Sequence, residues 1–436
     1  MKPVRCALLL VLWMVPACAR LAPYHTPEGI EQWQDPSPPR LSLADKAAAY
    51  QARLAALHEM PDGVIRYRAY AGLGRDDYGD LADGPFFSGL DLAAQAFRLA
   101  TTGDADARSA VERALDGMEV LMTVTGRPGL LARWVARAPT APGAGWIAST
   151  TRPGYWWRAD VSKDQLAGYA CGLGVALALL EEPELRAHAG ALAVPLAEHL
   201  RAHGMRIVDY DGERTRYGDL NAHLLGFPLG VNALIALAVA KASAVASGEP
   251  GFYASLVDDG YVVAAGWARL HPPGKMNRVN ENMAYAALLP LLLLETDADL
   301  AARLRASEAR LWDRVQGEHN AFFAFVHALA SRDAAAAAEG SAALREFPDR
   351  KLALAVDLTR DGFAIRESWW KSGKGEPRAA EPLPLYLRPS SSNLWVDDPH
   401  AMVGSLKHSG QIEFAGIDYL LAYWLGRQQG FVGPAD

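Results

Sequence analysis

Three apolar helical runs recur at one spacing, and this recurrence limits the fold more than any other feature of the chain. Tyr169, Phe227 and Tyr285 stand 58 residues apart. Each lies in an Ala/Leu/Gly-rich stretch: Ala167-Gly-Tyr-Ala-Cys-Gly-Leu-Gly174, Leu225-Gly-Phe-Pro-Leu-Gly230 and Met283-Ala-Tyr-Ala-Ala-Leu-Leu289. A fixed period of that length holds two helices and marks an array of helical hairpins. A helix that is apolar on nearly every side is enclosed on every side. Helices rich in Arg and Glu, at 184–203 and 298–315, alternate with the apolar ones. An inner ring inside an outer ring follows. The predicted fold is all-α, six hairpins closed into an (α/α)6 toroid, with an open solenoid as the competing architecture.

Caps and periodicity predict about twelve helices. The first is opened by Ser42 with Asp45 three residues on, and runs to about His58. The second is capped at Ser88-Gly-Leu-Asp91 and reaches about Ala100. The others are read at 106–124, 163–181, 184–203, 221–247, 252–270, 280–295, 298–315, 319–331, 333–346 and 411–429. Short β pieces are read only around Arg206–Tyr210 and Ala364–Trp369. Residues 61–85, 125–161 and 348–410 read as long loops, and loops of that length in a compact domain are usually functional. After the N-terminal segments, residues 42–436 form one domain.

The first 41 residues read differently. Lys2 and Arg5 precede an apolar run, Ala7 to Met14, that is too short to span a bilayer, which is the pattern of a signal peptide over residues 1–18. Val15-Pro-Ala-Cys18 resembles a bacterial lipobox, which implies acylation of Cys18, with ordinary cleavage around Ala17-Cys-Ala19 as the alternative. Residues 19–41 are Pro-rich and polar, a tether. The expected location is the bacterial cell envelope, with membrane contact through the lipid anchor only. Of three cysteines only Cys171 would then remain, so no disulfide is expected. No later stretch reads as a membrane span. Formal net charge is −7, with no basic stripe, which argues against nucleic acid as a partner.

If the three repeats are equivalent, the residues before them gather at one mouth. Ahead of Tyr169 come Asp160, Lys163 and Asp164, preceded by Trp156, Trp157 and Arg158. Ahead of Phe227 come Tyr217, Asp219, Asn221 and His223. Ahead of Tyr285 come Asn277, Arg278, Asn280, Glu281 and Asn282. Asp77, in the 61–85 loop, and Trp395 are expected at the same end. Capping explains many of these singly, since Ser162-Lys-Asp-Gln165 is itself a capping box. Caps alone do not call for Lys163, His223, Arg278 and Glu281. No His-x-x-x-His or Cys-x-x-Cys pattern occurs, so no metal site and no cofactor is expected.

A helical toroid with an aromatic and acidic mouth resembles the six-hairpin glycosidase class and the toroidal polysaccharide lyases. Trp157-Arg-Ala-Asp-Val-Ser-Lys-Asp-Gln-Leu-Ala-Gly168 and Gly416-Ile-Asp-Tyr-Leu-Leu-Ala-Tyr-Trp-Leu-Gly-Arg427 are similar to stretches of uncharacterised bacterial lipoproteins of that class. The resemblance implies the architecture and a glycan ligand. It brings no catalytic residue.

Three functions remain open. Glycoside hydrolysis needs one protonated and one ionised carboxyl; Asp160, Asp164 and Glu281 are the candidates, with Asp77 as a partner from another hairpin. Trp156, Trp157 and Trp395 are candidate sugar platforms, and Arg158, Lys163, Asn221, His223, Asn277 and Arg278 candidate polar contacts. Elimination on a uronic acid would use Tyr217, Asn221, His223 and Arg278, against an unhelpful net negative charge. A non-catalytic surface lipoprotein would need the aromatics without the carboxylates. The glycosidase is favoured.

Overall fold

The computed structural model describes residues 38–70, 82–268, 278–353, 357–365, 377–389, 393–404, 412–434 and 436. Within them lie thirteen α-helices: α1 Leu43–Arg53, α2 Gly84–Thr102, α3 Ala105–Thr123, α4 Lys163–Leu179, α5 Pro183–Ala202, α6 Gly230–Ser247, α7 Gly251–Asp258, α8 Tyr261–Ala265, α9 Arg278–Leu294, α10 Ala298–Val315, α11 Ala321–Ser331, α12 Ala334–Glu346 and α13 Ile417–Gln428. Six of them close a ring by successive contact, α2 to α4, α6, α9, α11, α13 and back to α2. Between these in sequence come α1, α3, α5, the α7–α8 pair, α10 and α12, which form the outer layer. This is the (α/α)6 toroid that the alternation of apolar and charged helices predicts.

Burial follows composition. Helix α4 is buried from Gln165 to Leu177 without a break, and α9 is buried from Glu281 to Leu291. Outer helix α10 buries Leu304, Ser307, Glu308, Leu311, Trp312 and Val315, a single stripe, and leaves its arginines outward. The inner helices run parallel. Helices α2 and α4 cross through glycines near their N-termini: a Cβ on Gly89 would lie 2.0 Å from the carbonyl oxygen of Gly168, and one on Gly168 would lie 2.5 Å from that of Phe86. Lys163, first in α4, bonds Asn232 in the first turn of α6 at 2.8 Å. Their N-termini therefore share one end of the ring, the mouth.

Four readings are corrected. Phe227 is not helical: it sits 73% exposed in a two-residue hairpin whose strands are His223–Leu224 and Phe227–Pro228, and α6 begins only at Gly230. Pro228 has no N–H to give a helix, and Gly226 takes φ of +82° in the turn. The 58-residue spacing thus joins two equivalent helical positions to one that is not. Secondly, residues 125–161 are not a plain loop. They carry a three-stranded antiparallel sheet of Trp134–Arg137, Trp146–Ala148 and Tyr155–Arg158, the last strand central. Thirdly, residues 252–270 divide into α7 and α8 at Gly260, where φ is +82°. Fourthly, α6 is long and apolar enough to cross a membrane, yet 67% of it is buried inside the ring. It is a core helix.

Candidate functional site

The N-terminal ends of α2, α4 and α9 enclose a cavity of about 120 Å³, closed on one side by the turn at Asn393–Val396. Phe86, Phe87, Val279 and Met283 give it apolar walls. Its polar lining is Asp83, Asp164, Asn282 and Asn393. A larger cavity, about 710 Å³, lies at the opposite end among the C-termini of α2 and α4. It holds no comparable convergence of buried polar groups, so chemistry points to the smaller one.

The two carboxylates reach the cavity for local reasons. Asp83 immediately precedes α2 with φ of +67°, unusual for a residue other than glycine, and Pro85 in the first turn sets the helix off. Its Oδ1 accepts from Gln165 Nε2 at 2.6 Å and from Arg133 Nη2 at 3.3 Å. Asp164 is in the first turn of α4, inside the Ser162/Gln165 capping box, and accepts a hydrogen bond from the Ser162 hydroxyl. A helix N-terminus favours a negative group there. Burial pushes the Asp83 carboxyl up from its ordinary range, Asp164 pushes it further, and Gln165 and Arg133 oppose both. The raised carboxyl is thus that of Asp83, with Asp164 close by on the same cavity wall.

The two amides are the telling groups. Asn282 and Asn393 are each 2% exposed. Asn393 Oδ1 accepts from the Trp395 backbone N–H at 2.7 Å, which leaves its Nδ2 without a hydrogen bond, and Asn282 Oδ1 has none either. Buried polar atoms are almost always satisfied. A donor and an acceptor without partners, on two residues that line one cavity, are the groups that a hydroxyl-bearing ligand would satisfy.

Of the residues singled out from sequence, Asp164 and Asn282 line this cavity. Asp160 sits at φ of +62° and staples loops: its N–H donates to Asp209 Oδ2 at 2.8 Å, and its Oδ1 accepts from the Arg216 N–H at 2.8 Å. Glu281 is buried in a cluster with Arg278 Nη1 at 3.3 Å and Arg314 Nε at 3.6 Å, and Arg278 also pairs with Glu318. Burial lowers the Lys163 ammonium, which bonds Asn232. Asn221 bonds Asp219 Oδ1 at 2.8 Å, His223 is exposed on its hairpin, and Arg158 lies over the Trp146 ring at 5.7 Å. The aromatic platforms are corrected by packing. Trp157 and Trp395 are core residues, the first edge-on to Tyr210 and the second stacked on Phe322 at 4.2 Å, so neither has a face to offer. Trp156 is half-buried, its indole N–H given to the Ala138 carbonyl at 3.1 Å. Cys18, Asp77 and Asn277 lie outside the described residues, as do residues 366–369 of the β piece read at Ala364–Trp369. Asp83 was missed. The run Asp83-Gly-Pro85 was its signal, an Asx residue followed by proline at a helix start.

Among the described residues no group of three or more His, Cys, Asp or Glu could hold a metal ion.

No protein-family model matches the sequence, and no curated protein matches it. Solved structures do. A glycoside hydrolase family 76 mannosidase, Bt3792 from Bacteroides thetaiotaomicron VPI-5482, is similar with a TM-score of 0.44 and 11% identity, over 88% of this chain and 97% of that one. The family 9 endoglucanase J30 is similar with a TM-score of 0.46 and 13% identity, over 90% and 84%. A sugar epimerase from a ruminal bacterium is similar with a TM-score of 0.46 and 12% identity, over 89% and 99%.

Proposed function

We propose that this chain is a glycoside hydrolase that works at the mouth of the toroid with Asp83 as general acid and Asp164 as the second carboxyl of the pair. One observation carries the reading: two carboxyl groups, one of them raised by burial and by its neighbour, share a cavity with two unsatisfied buried amides. Glycosidic cleavage asks for that inequality. The raised carboxyl donates its proton to the leaving oxygen, and the ionised one activates water or attacks the anomeric carbon. Arg133 and Gln165 orient Asp83, and the Ser162 hydroxyl orients Asp164. Asn282 and Asn393 take sugar hydroxyls. Elimination is not favoured, because Asn221 is tied to Asp219 and His223 stands outward on a hairpin.

The protein would act outside the cytoplasm: residues 1–18 would direct export and Cys18 would carry the lipid. Mass spectrometry of the mature N-terminus tests that part separately. The activity is tested by incubating the protein with a panel of glycans and reading new reducing ends. Asp83→Asn and Asp164→Asn should each cost roughly 10²–10⁴-fold. Activity should fall as pH rises through the Asp83 pKa, because the acid loses its proton. A 4,5-unsaturated product, or turnover indifferent to both substitutions, would overturn the assignment.

A further inference from the structure

The exposed apolar residues of this protein are not scattered. Leu224, Leu225 and Phe227 are 61%, 92% and 73% exposed on the hairpin that leads into α6. Trp267, 48% exposed, belongs to the same rim: a Cβ on Gly230, where α6 begins, would lie 2.6 Å from the Trp267 carbonyl carbon. Tyr217, on the strand Arg214–Asp219 just before the hairpin, is 54% exposed and carries the Arg216 guanidinium over its ring at 5.1 Å. A cluster of this kind on one edge marks an interaction surface, whereas single exposed apolar residues do not.

The tip is costly twice over. Leu224 pairs with Phe227, and the two residues between them, Leu225 and Gly226, both have positive φ, +49° and +82°. That is the geometry of a type I′ turn, where Asn or Asp normally precedes the Gly. A bulky leucine at positive φ is strained, and one exposed to water gains nothing from its side chain. Folding and solubility would both be better served by asparagine. Leucine at this point has a use only where the tip is buried against something apolar.

We propose that this hairpin docks into the surface of a phospholipid bilayer. Aliphatic tips do not suit sugar faces, which stack on flat rings, while Leu and Phe at a tip with Trp, Tyr and Arg at its base match the layering of a membrane interface. The position of the chain's upstream end agrees. Arg40 N–H donates to Asp349 Oδ2 at 2.8 Å, three residues beyond α12. The α12 C-terminus is at the mouth, since Glu346 pairs there with His319, two residues before α11, at 3.5 Å. The chain that follows Cys18 therefore enters the described fold, at residue 38, at the end that carries the hairpin. Anchor and hairpin would hold the mouth toward the lipid.

The test uses the full chain in vesicles of phosphatidylethanolamine with a minority of phosphatidylglycerol. An environment-sensitive fluorophore is placed at Leu224→Cys and, as a comparator at the far end, at Glu249→Cys, both with Cys6→Ser and Cys18→Ser so that neither native thiol is labelled; Cys171 is buried and silent. The expected result is a blue shift and quenching by brominated lipid at position 224 and neither at 249. Adding Leu225→Asn should abolish the quenching and leave the melting temperature unchanged or raised, because asparagine suits the turn. Equal signals at 224 and 249 would overturn the proposal. So would a shift at 224 that depends on protein concentration without vesicles, which would mean a second copy, or one driven by soluble oligosaccharide. Glycan turnover is read independently, so failure here leaves the hydrolase reading standing and the reverse.

Discussion

Removing the carboxylate of Asp418 should destabilise the fold far more than an ordinary ion-pair deletion. Lys351 Nζ donates to Asp418 Oδ2 at 2.6 Å, and both side chains are 2% exposed. The same oxygen accepts the Leu394 backbone N–H at 2.8 Å, so Asp418 ties the cavity turn to the start of α13. Asp418→Ala takes the facing carboxylate away from a buried ammonium ion and orphans an amide, at a cost of about 3–5 kcal/mol. With an unfolding entropy of ~2 cal/mol/K per residue, a chain of this length has about 0.8 kcal/mol/K, and the melting temperature should drop by about 4–6 °C. The double variant Lys351→Met/Asp418→Asn removes the charge and keeps an acceptor for Leu394, so it should recover to within about 1.5 kcal/mol of the parent. Urea unfolding followed by circular dichroism measures all three proteins. A single-variant cost under about 1 kcal/mol, the value of an exposed pair, would refute the reasoning. A double variant no better than the single would refute it equally.

Three further outcomes are expected. Burial pushes the Asp91 carboxyl up to about 7, with Glu59 adding and its bond from Gln95 opposing; the folded state thus holds a proton that the unfolded chain releases near its ordinary value. Stability should fall by roughly 2–4 kcal/mol as pH rises from about 4 to about 7 and then level off, and Asp91→Asn should flatten that slope in pH-dependent melting. Gly89→Val should leave little soluble protein on expression, since even a Cβ there meets the α4 backbone at 2.0 Å, and overpacking of this kind costs about 1–3 kcal/mol or more. Cys171, fully buried with its thiol pushed up by burial, should ignore an aromatic disulfide reagent in the native protein and react fully in denaturant.

The ring was legible because its helices announce their ends. Asp297 accepts from the Asp299 and Leu300 N–H groups, Asn320 from Phe323 and Asp333 from Ala335, and the predicted bounds of α10, α11 and α12 fall within two residues of those observed. Helix type came from composition, and composition reports burial. The hairpin before α6 was not legible, because residues 221–229 are as apolar as a helix, and only Pro228 and Gly226 spoke against one. The site was half legible. Asp164 lies in a recognisable cap, whereas Asp83 is brought to it from 81 residues upstream by the crossing of α2 with α4. That meeting depends on backbone approach at glycines, a long-range geometry that no local pattern carries. Asp160 and Glu281 have the composition of a site and the connections of a framework.

The glycine crossing of α2 and α4 also sets limits on change. Where side chains separate two helices, a larger or smaller residue moves them, and a lineage can widen or narrow the bore by small steps. At Gly89 and Gly168 main chain lies against main chain, so this part of the circumference has no such adjustment. New ligand preferences in a protein built this way would have to arise in the connections that rise from the rim, by lengthening, shortening or exchanging them, over a bore whose gauge is fixed.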